Sequence, residues 1–395
     1  MNKRVAVLRC RKYDADLILE SMREAVSLTG GDEALDVKGK KVLLKPNVLF
    51  DAAVAKAVTT HPEFLRAAIR LMKELGAAEI IAGDSPGFQK PGFKGRKCGL
   101  WDICNDEGVE WYDFSKGTVV KKCPEGKMVN QFIVSDIVDK VDLIISLPKM
   151  KNHQLMYFTG ALKNQFGLIP GLSKSPYHMM FPGRKGFAEM IVDLHTAVKP
   201  AYAFMDGIIA MEGPGPGNGD PVDAGLILAS PNLLALDITA CRIIGYDPDI
   251  IPINRDAIDR GLWLDSAADP DVVGLKLEEA KLHGFKKIRL TGSRSQLLEF
   301  LTPPFVRKIQ TAMAPRPVFR PVKCIRCGEC VKICPANALE MKEMPGLSEK
   351  YAKMVSINYD DCIRCYCCHE VCPEDAITVK TAPFSKGLVK TEGAG

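Results

Sequence analysis

Over the first 300 residues, short apolar runs alternate with longer amphipathic stretches. RVAVLR (4–9) reads as a strand and ADLILESMREAVSL (15–28) as a helix with one apolar stripe. KVLLKPN (41–47) is a strand of the fully buried type. In TTHPEFLRAAIRLMKELGA (59–77), Thr60 and Glu63 fit a capping box, Pro62 falls in the first turn and Gly76 ends the helix. AEIIAGD (78–84), VDLIISLPK (141–149), AYAFMDG (201–207) and GLILAS (225–230) follow as apolar strands. Strand–helix alternation of this kind predicts an α/β fold with a mainly parallel sheet. The pattern spans residues 1–301. A proline-rich basic connector, TPPFVRKIQTAMAPRPVFRPV (302–322), separates it from a cysteine-rich segment (323–380), which is expected to form a small α+β domain, and a tail (381–395).

The predicted strands share a feature at their carboxyl ends, where open α/β sheets bind ligands. Lys45 and Asn47 follow KVLL, and Asp84 and Ser85 follow AEIIAG. Lys149, Lys151 and His153 follow LIISLP, and Asp206 follows AYAFM. Any one of these is explained by a strand ending in solvent; the set points to a site. The loop EGPGPGNGDP (212–221) is no dinucleotide fingerprint, because Pro214 and Pro216 remove the N–H donors that hold phosphate. It is expected to be a flexible or closely approaching loop, acting as a lid.

Composition changes this picture little. Hydrophobic residues make up 47% and charged residues 26%, the balance of a globular protein, and the net charge of +5 is mild. Charge placement is more informative. Leu143 to Ala188 contains no acid but carries Lys149, Lys151, Lys163, Lys174, Arg184, Lys185, His153 and His178, with Asn152, Asn164 and Gln165 as further hydrogen-bonding groups. Such a field attracts anions. The small overall excess and the lack of a recognised module argue against nucleic acid and for a small carboxylate or phosphate ligand, or an acidic partner protein. MNKRVAVLRCRKYD lacks the apolar run of a signal peptide, and AGLILASPNLLALDITACRIIG is broken by Pro231, Asp237 and Arg242, so a cytoplasmic location is expected.

In a reducing compartment, clustered thiols are metal ligands. CIRCGECVKICPANALEM begins at Cys324, and CIRCYCCHEVCP at Cys362. Shifted by 38 residues, Cys324, Cys327, Cys330 and Cys334 fall on Cys362, Cys365, Cys368 and Cys372, and Pro335 falls on Pro373. Cys367 falls on Glu329 and is the spare thiol. Both runs read C-x₂-C-x₂-C-x₃-C-P, which favours iron–sulfur clusters over zinc. The stretch MKEMPGLSEKYAKMV (341–355) between them is expected to form an extra loop. Cys10, Cys98, Cys104, Cys123 and Cys241 are scattered without metal spacing.

The duplicated run resembles the bacterial two-cluster ferredoxins. The resemblance implies two [4Fe–4S] clusters, one held by Cys324, Cys327, Cys330 and Cys372, the other by Cys362, Cys365, Cys368 and Cys334. LLKPNVLF, TTHPEFLRAAIRLMKELGA, IIAGDSPG, LIISLPKMKNH, TGALKNQFGLIPG and MDGIIAMEGPGP, followed by this module, are similar to the domain of unknown function 362 family, typically found in anaerobes and other microbes. That resemblance marks Lys45, Lys149, His153, Lys163 and Asn164 as motif positions and supplies no substrate. At the level of fold, the N-terminal region also resembles nickel-dependent lactate racemase.

The expectation is therefore an iron–sulfur oxidoreductase fed by a redox partner protein. Lys45, Lys149, Lys151 and Lys163 would hold an anionic substrate or cofactor and stabilise charge developing on reduction, with Asn47, Asp84, Asn164, His178 and Asp206 lining the site and His153 or His178 giving a proton. No flavin or nicotinamide motif is visible, so any second cofactor is unspecified. An electron-transfer docking adaptor and a non-redox isomerase with structural clusters are the alternatives.

Overall fold

A computed structural model describes residues 2–87, 92–288, 315–343 and 353–380. The chain divides into two compact units, Met1–Ile288 and Arg289–Gly395.

The first unit is built on one large sheet. Its strands are β1 (Arg4–Arg9), β2 (Lys41–Pro46), β3 (Glu79–Ala82), β4 (Glu110–Trp111), β7 (Leu143–Leu147), β10 (Tyr202–Glu212), β11 (Asp220–Ser230) and β12 (Asp271–Gly274). β8 (Lys149–His153) pairs with β10 and β9 (Tyr157–Thr159), and β5 (Thr118–Lys122) with β6 (Gln131–Ser135) forms a separate hairpin. The order is β12-β1-β11-β10-β7-β2-β3-β4. Every neighbouring pair along it is parallel except the two made by β11, which runs against β1 and β10. The α/β fold with a mainly parallel sheet is therefore the one the alternation predicts, with β11 inserted against the grain by a hairpin.

Alternation within the strands assigns the two faces. Ala6, Leu8, Val42, Leu44, Ile145, Leu147, Phe204 and Ile227 pack with the helices Ala15–Thr29 and Pro62–Glu74. Pro62–Glu74 buries Phe64, Leu65, Ala68, Ile69 and Met72, so truncating Phe64 to alanine would cost about 3–5 kcal/mol. The helix ends as expected, with Gly76 at φ 79. Its start differs. The cap is His61, whose Nδ1 accepts from the Glu63 N–H at 3.1 Å. Thr60 is drawn inward instead, accepting from the Asn47 N–H (2.8 Å) and donating to the Leu147 carbonyl (2.6 Å), which ties β2 to β7.

Gly213–Gly219, within the loop expected to act as a lid, is the connection between β10 and β11. It approaches β8 closely: a Cβ on Gly215 would lie 2.3 Å from the Asn152 carbonyl oxygen. Asn152 Nδ2 donates to the Gly213 carbonyl at 3.1 Å.

The second unit shows the 38-residue repeat in its backbone. β13 (Arg316–Phe319), the helix Glu329–Ile333 and β14 (Leu339–Glu343) are followed by β15 (Lys353–Ile357), the helix Cys367–Glu370 and β16 (Ile377–Lys380). The halves exchange strands: β13 pairs antiparallel with β16 and β14 with β15. Left-handed residues recur in register at Arg326 and Arg364, Gly328 and Tyr366, and Asn337 and Asp375. Arg316–Phe319 thus belongs to this unit and not to a connector. Residues 302–314, the loop 344–352 and the tail 381–395 lie outside the described residues, whereas 341–343 and 353–355 are strand.

Candidate functional site: two thiol-lined cavities and a strand-end cluster

The cysteine runs build two cavities. One, with about 340 Å³ of empty space, is lined by Cys324, Cys327, Cys330 and Cys372. The other, about 350 Å³, is lined by Cys334, Cys362, Cys365 and Cys368, with Cys367 beside them. Each cavity thus takes three thiols from one run and the fourth from the other. The left-handed residues turn backbone N–H groups inward: Arg326 donates to Cys324 Sγ (3.3 Å), Ala338 to Cys334 Sγ (3.3 Å) and Ala376 to Cys372 Sγ (3.2 Å). Burial raises the Cys330 thiol to about 12, so four thiolates need a compensating positive centre. Four sulfurs per cavity with N–H donors aimed at them fit a [4Fe–4S] cube. The resident group there supplies one-electron redox chemistry.

In the first unit the strand ends converge as the topology requires. At the end of β2, the Lys45 ammonium is completely buried and lies 2.7 Å from Asp84 Oδ1, also buried. It donates to Asn164 Oδ1 and the Pro46 carbonyl, both at 3.2 Å, while its contact with Asp84 is an ion pair without hydrogen-bond geometry. Asn164 Nδ2 returns bonds to the Lys45 carbonyl (3.1 Å) and Ser146 Oγ (3.0 Å), and Asn47 Nδ2 reaches Asn164 Oδ1 at 3.3 Å. Backbone seals this pair: a Cβ on Gly167 would lie 2.0 Å from Asp84 Oδ1 and 2.5 Å from Lys45 Nζ.

A second buried pair joins the first residue of β8 to the middle of β10. Lys149 Nζ lies 2.8 Å from Asp206 Oδ2 and 2.7 Å from the Tyr13 hydroxyl. Tyr13 donates to Asp206 Oδ1 (2.8 Å) and accepts from the Ile209 N–H (3.1 Å), and the His61 N–H donates to Asp206 Oδ2 (3.0 Å). The Tyr13 ring stacks on the His61 ring, 3.5 Å between centroids and 7° between planes. Burial lowers the Lys149 pKa, opposed by Asp206, and raises that of Tyr13. His61 is lowered to about 4 by burial, Asp206 opposing and Lys149 assisting. Among the described residues Lys149 uses two of its three N–H groups, and the His61 ring has Nδ1 occupied as a helix cap, leaving the proton on Nε2.

The structure therefore joins Lys45, Asn47, Asp84 and Asn164 in one network, and Lys149 and Asp206 in another. It separates the rest. Lys151 donates to the Val58 carbonyl at 2.7 Å. His153 is buried and its Nδ1 accepts from the Leu155 and Met156 N–H groups, so it shapes a turn. Lys163 is half-buried, 6.0 Å from the Phe166 ring centre. His178 stacks on Phe187 at 4.4 Å, and burial lowers it to about 3, so it is neutral packing and no proton donor near neutrality.

Three site groups escape sequence reasoning. Tyr13 follows β1 and was available to the strand-end rule. His61 was hidden inside a helix signal. Lys174 belongs to the acid-free stretch but no strand end marks it; it is buried against the Ser85 and Ile169 carbonyls and lowered to about 7 by burial. The acid-free stretch finds carboxylates from elsewhere in the chain. Asp206 meets Lys149, and Asp237, raised to about 7 by burial, accepts from the Ala161 and Leu162 N–H groups at 2.6 and 3.0 Å.

A strand-end site on an α/β sheet in one unit and a thiol-lined pair of cavities in the other define an iron–sulfur protein of fused design. Residues 42–242 match the family described as a domain of unknown function (DUF362), and residues 323–376 match a 4Fe-4S dicluster domain. The chain belongs to the domain of unknown function 362 family and carries a C-terminal ferredoxin module. It is 34% identical over 254 residues to a thylakoid-associated protein of Synechocystis sp., covering 64% of this chain and 78% of that one. Among solved structures it is similar to the lactate racemase apoprotein from Thermoanaerobacterium thermosaccharolyticum (TM-score 0.39, 12% identity, 58% of this chain and 54% of that chain). It is also similar to a protein from Thermotoga maritima (TM-score 0.35, 16% identity, 55% of each chain). The chain spans about half the length of these two structures, and neither likeness bears on activity. No helix among the described residues is long and apolar enough to cross a membrane.

Proposed function

We propose that the protein is a cytoplasmic iron–sulfur oxidoreductase, in which electrons from two [4Fe–4S] clusters reduce an anionic substrate or cofactor held at the strand ends of the α/β unit. The observation that carries this reading is the Lys149 network: a buried ammonium with one N–H to spare, positioned by Asp206 and Tyr13 beside the His61 ring. Lys149 binds the anion and stabilises charge that grows on reduction. His61, neutral above about pH 4, offers an Nε2–H as a hydrogen-bond donor. Lys45, ion-paired to Asp84, donates to Asn164 and acts by holding Asn164, and through it Asn47, in place.

The test uses anaerobically purified protein with reduced clusters, mixed with candidate carboxylates and phosphorylated metabolites. Reoxidation by one of them, lost in Lys149→Met with cluster content intact, is expected. Clusters that stay reduced with every such compound overturn the proposal. A second reading, a docking adaptor that hands electrons to a protein partner, is favoured by Val322 (81% exposed) and Ile325 (59% exposed), which flank Cys324. Under it, electron transfer to an acidic redox protein falls steeply with salt.

A further inference from the structure

The strand-end networks take several lysines of the acid-free stretch inward, and its outer surface carries a different pattern. Gly171–Lys174 is a 3₁₀ turn that runs straight into the helix Ser175–Met180, so residues 171–180 form one helical run. Gly171, Lys174 and His178 are buried, whereas Leu172, Pro176, Met179 and Met180 are exposed. The first set is spaced i, i+3, i+7 and the second i, i+4, i+7, i+8, so each is one face of the run. A surface helix normally turns its apolar face to the core. Here Lys174 and His178 face the protein and the apolar stripe faces out.

That orientation is held by contacts. Lys174 donates to the Ser85 carbonyl at 2.8 Å, the Gly171 N–H donates to Ser85 Oγ at 2.7 Å, and His178 stacks on Phe187. Rolling the run to hide Leu172 (51% exposed), Met179 (51%) and Met180 (58%) would break them. The stripe has a neighbour. Tyr177 stacks on Phe132 of the β5–β6 hairpin, 6.0 Å between ring centroids. That hairpin exposes Val120 and Ile133, a cross-strand pair, and Met128. Of the exposed large apolar side chains described in the first unit, all but Leu17 belong to these two elements. A single exposed leucine needs no explanation, but such a concentration marks an interaction face.

Charge and composition decide what covers it. Residues 143–188 hold no acid, and Lys185 is exposed just past the run. The hairpin carries Lys121, Lys122 and Lys127 against Glu125 alone. Lys121 pairs with Asp139, and Lys127 with Glu189 and Asp256, which leaves Lys122 and Lys185 without an ion pair among the described residues. A second copy of the chain would set these cations against each other, so the occupant is anionic. The exposed apolar set is Leu, Met, Ile and Val, without the Trp, Tyr and Arg anchors that dominate protein interfaces. Arg184 is turned onto the Tyr157 ring and the Leu155 carbonyl. Aliphatic side chains beside lysines suit a boundary that offers apolar depth and diffuse negative charge together.

We propose that the run 171–180 is a peripheral membrane-docking face. Leu172, Met179 and Met180 enter the headgroup–acyl boundary of an anionic bilayer, the Val120–Ile133 hairpin adjoins them, and Lys122 and Lys185 meet lipid phosphates. Docking of this kind is independent of the proposed reaction.

The test sediments the whole, cluster-loaded protein with vesicles of phosphatidylcholine alone or mixed with phosphatidylglycerol. Binding to the mixed vesicles is expected to be about tenfold stronger, a difference that added salt erases. Met179→Ser with Met180→Ser, both at exposed positions, should weaken binding to the mixed vesicles about tenfold, with Tm and iron content unchanged. Lys185→Glu should weaken it on the mixed vesicles alone. Peroxide oxidation of Met179 and Met180, followed by peptide mass spectrometry, needs no variant, and the mixed vesicles should slow it. The proposal falls if the protein ignores both kinds of vesicle, or if the double variant binds them as the wild type does. It falls equally if the two methionines are protected without lipid in a dimer that the double variant dissolves, or by an acidic redox protein and not by vesicles. Those results assign the stripe to a second copy or to a protein partner.

Discussion

Lys149 and Asp206 are both buried, at 2% and 0% exposure, so neither tolerates the loss of the other. Lys149→Met leaves a buried carboxylate with its cation removed and is expected to destabilise the first unit by about 3–5 kcal/mol in denaturant unfolding. The double replacement Lys149→Met with Asp206→Leu is expected to recover much of that stability while leaving the proposed activity absent, which separates folding from chemistry. His178 gives a pH prediction. Its folded pKa of about 3 lies below the ordinary 6.5 because burial disfavours the imidazolium. Its contribution is therefore present above about pH 6.5 and is lost as pH falls toward 3, at roughly 1.4 kcal/mol per pH unit in that window. His178→Phe should preserve the stack on Phe187 and reduce the acid loss, read as a smaller drop in Tm between pH 7 and pH 4. At this scale the sequence placed Asn47 and Asp84 just past strands, but Asp206 lies inside β10 and Lys149, Lys151 and His153 belong to β8 instead of ending β7. It did not reveal their partners, which are as distant as Asn164, 119 residues from Lys45.

The helix Pro62–Glu74 joins structure to site through its cap. His61→Ser retains an acceptor for the Glu63 N–H and removes the ring over Tyr13, so it should cost little stability yet impair the proposed reaction. His61→Ala loses both and should cost about 1 kcal/mol more; thermal melts of the two variants, with reoxidation assays, check this. Elements with one buried face were legible: Ala15–Thr29 and Pro62–Glu74 show their stripes in the sequence. Arg184–Val198 did not, because Glu189, Asp193 and His195 on it are buried along with its apolar residues. Asp193 accepts from the Lys127, Met128 and Val129 N–H groups and pairs with Arg260, and Glu189 pairs with Lys127. These contacts erase the periodicity. The apolar stretch 224–245 showed its strand, the end of β11, but hid the helix Leu233–Ile243 that follows Pro231 and is capped by Asn232.

For the whole molecule, the crossed cysteine sets give a test that spacing alone does not. Cys334→Ala and Cys362→Ala lie in different runs but line one cavity. Both should lower iron from about eight to about four per chain and leave the same remaining cluster by electron paramagnetic resonance. Cys372→Ala should leave the other one. Removing all iron with a chelator should abolish folding of the second unit, whose fully buried apolar cluster among the described residues is Leu339, Val355, Ile377 and two ligand cysteines. The first unit should keep its own unfolding transition. The dicluster module was readable from the sequence because ligand identity, spacing and the terminal prolines are all local. The Lys149 network was not, because Tyr13, His61, Lys149 and Asp206 come from distant parts of the chain.

Strand exchange adds to the crossed thiols. β13 lies against β16 and β14 against β15, so each half is held to the other at its edges as well as through its metal centres. A protease cut between residues 343 and 353 would therefore sever the peptide without parting the fragments. The nicked holoprotein should migrate as one species under native conditions and fall into two pieces only after the iron is stripped.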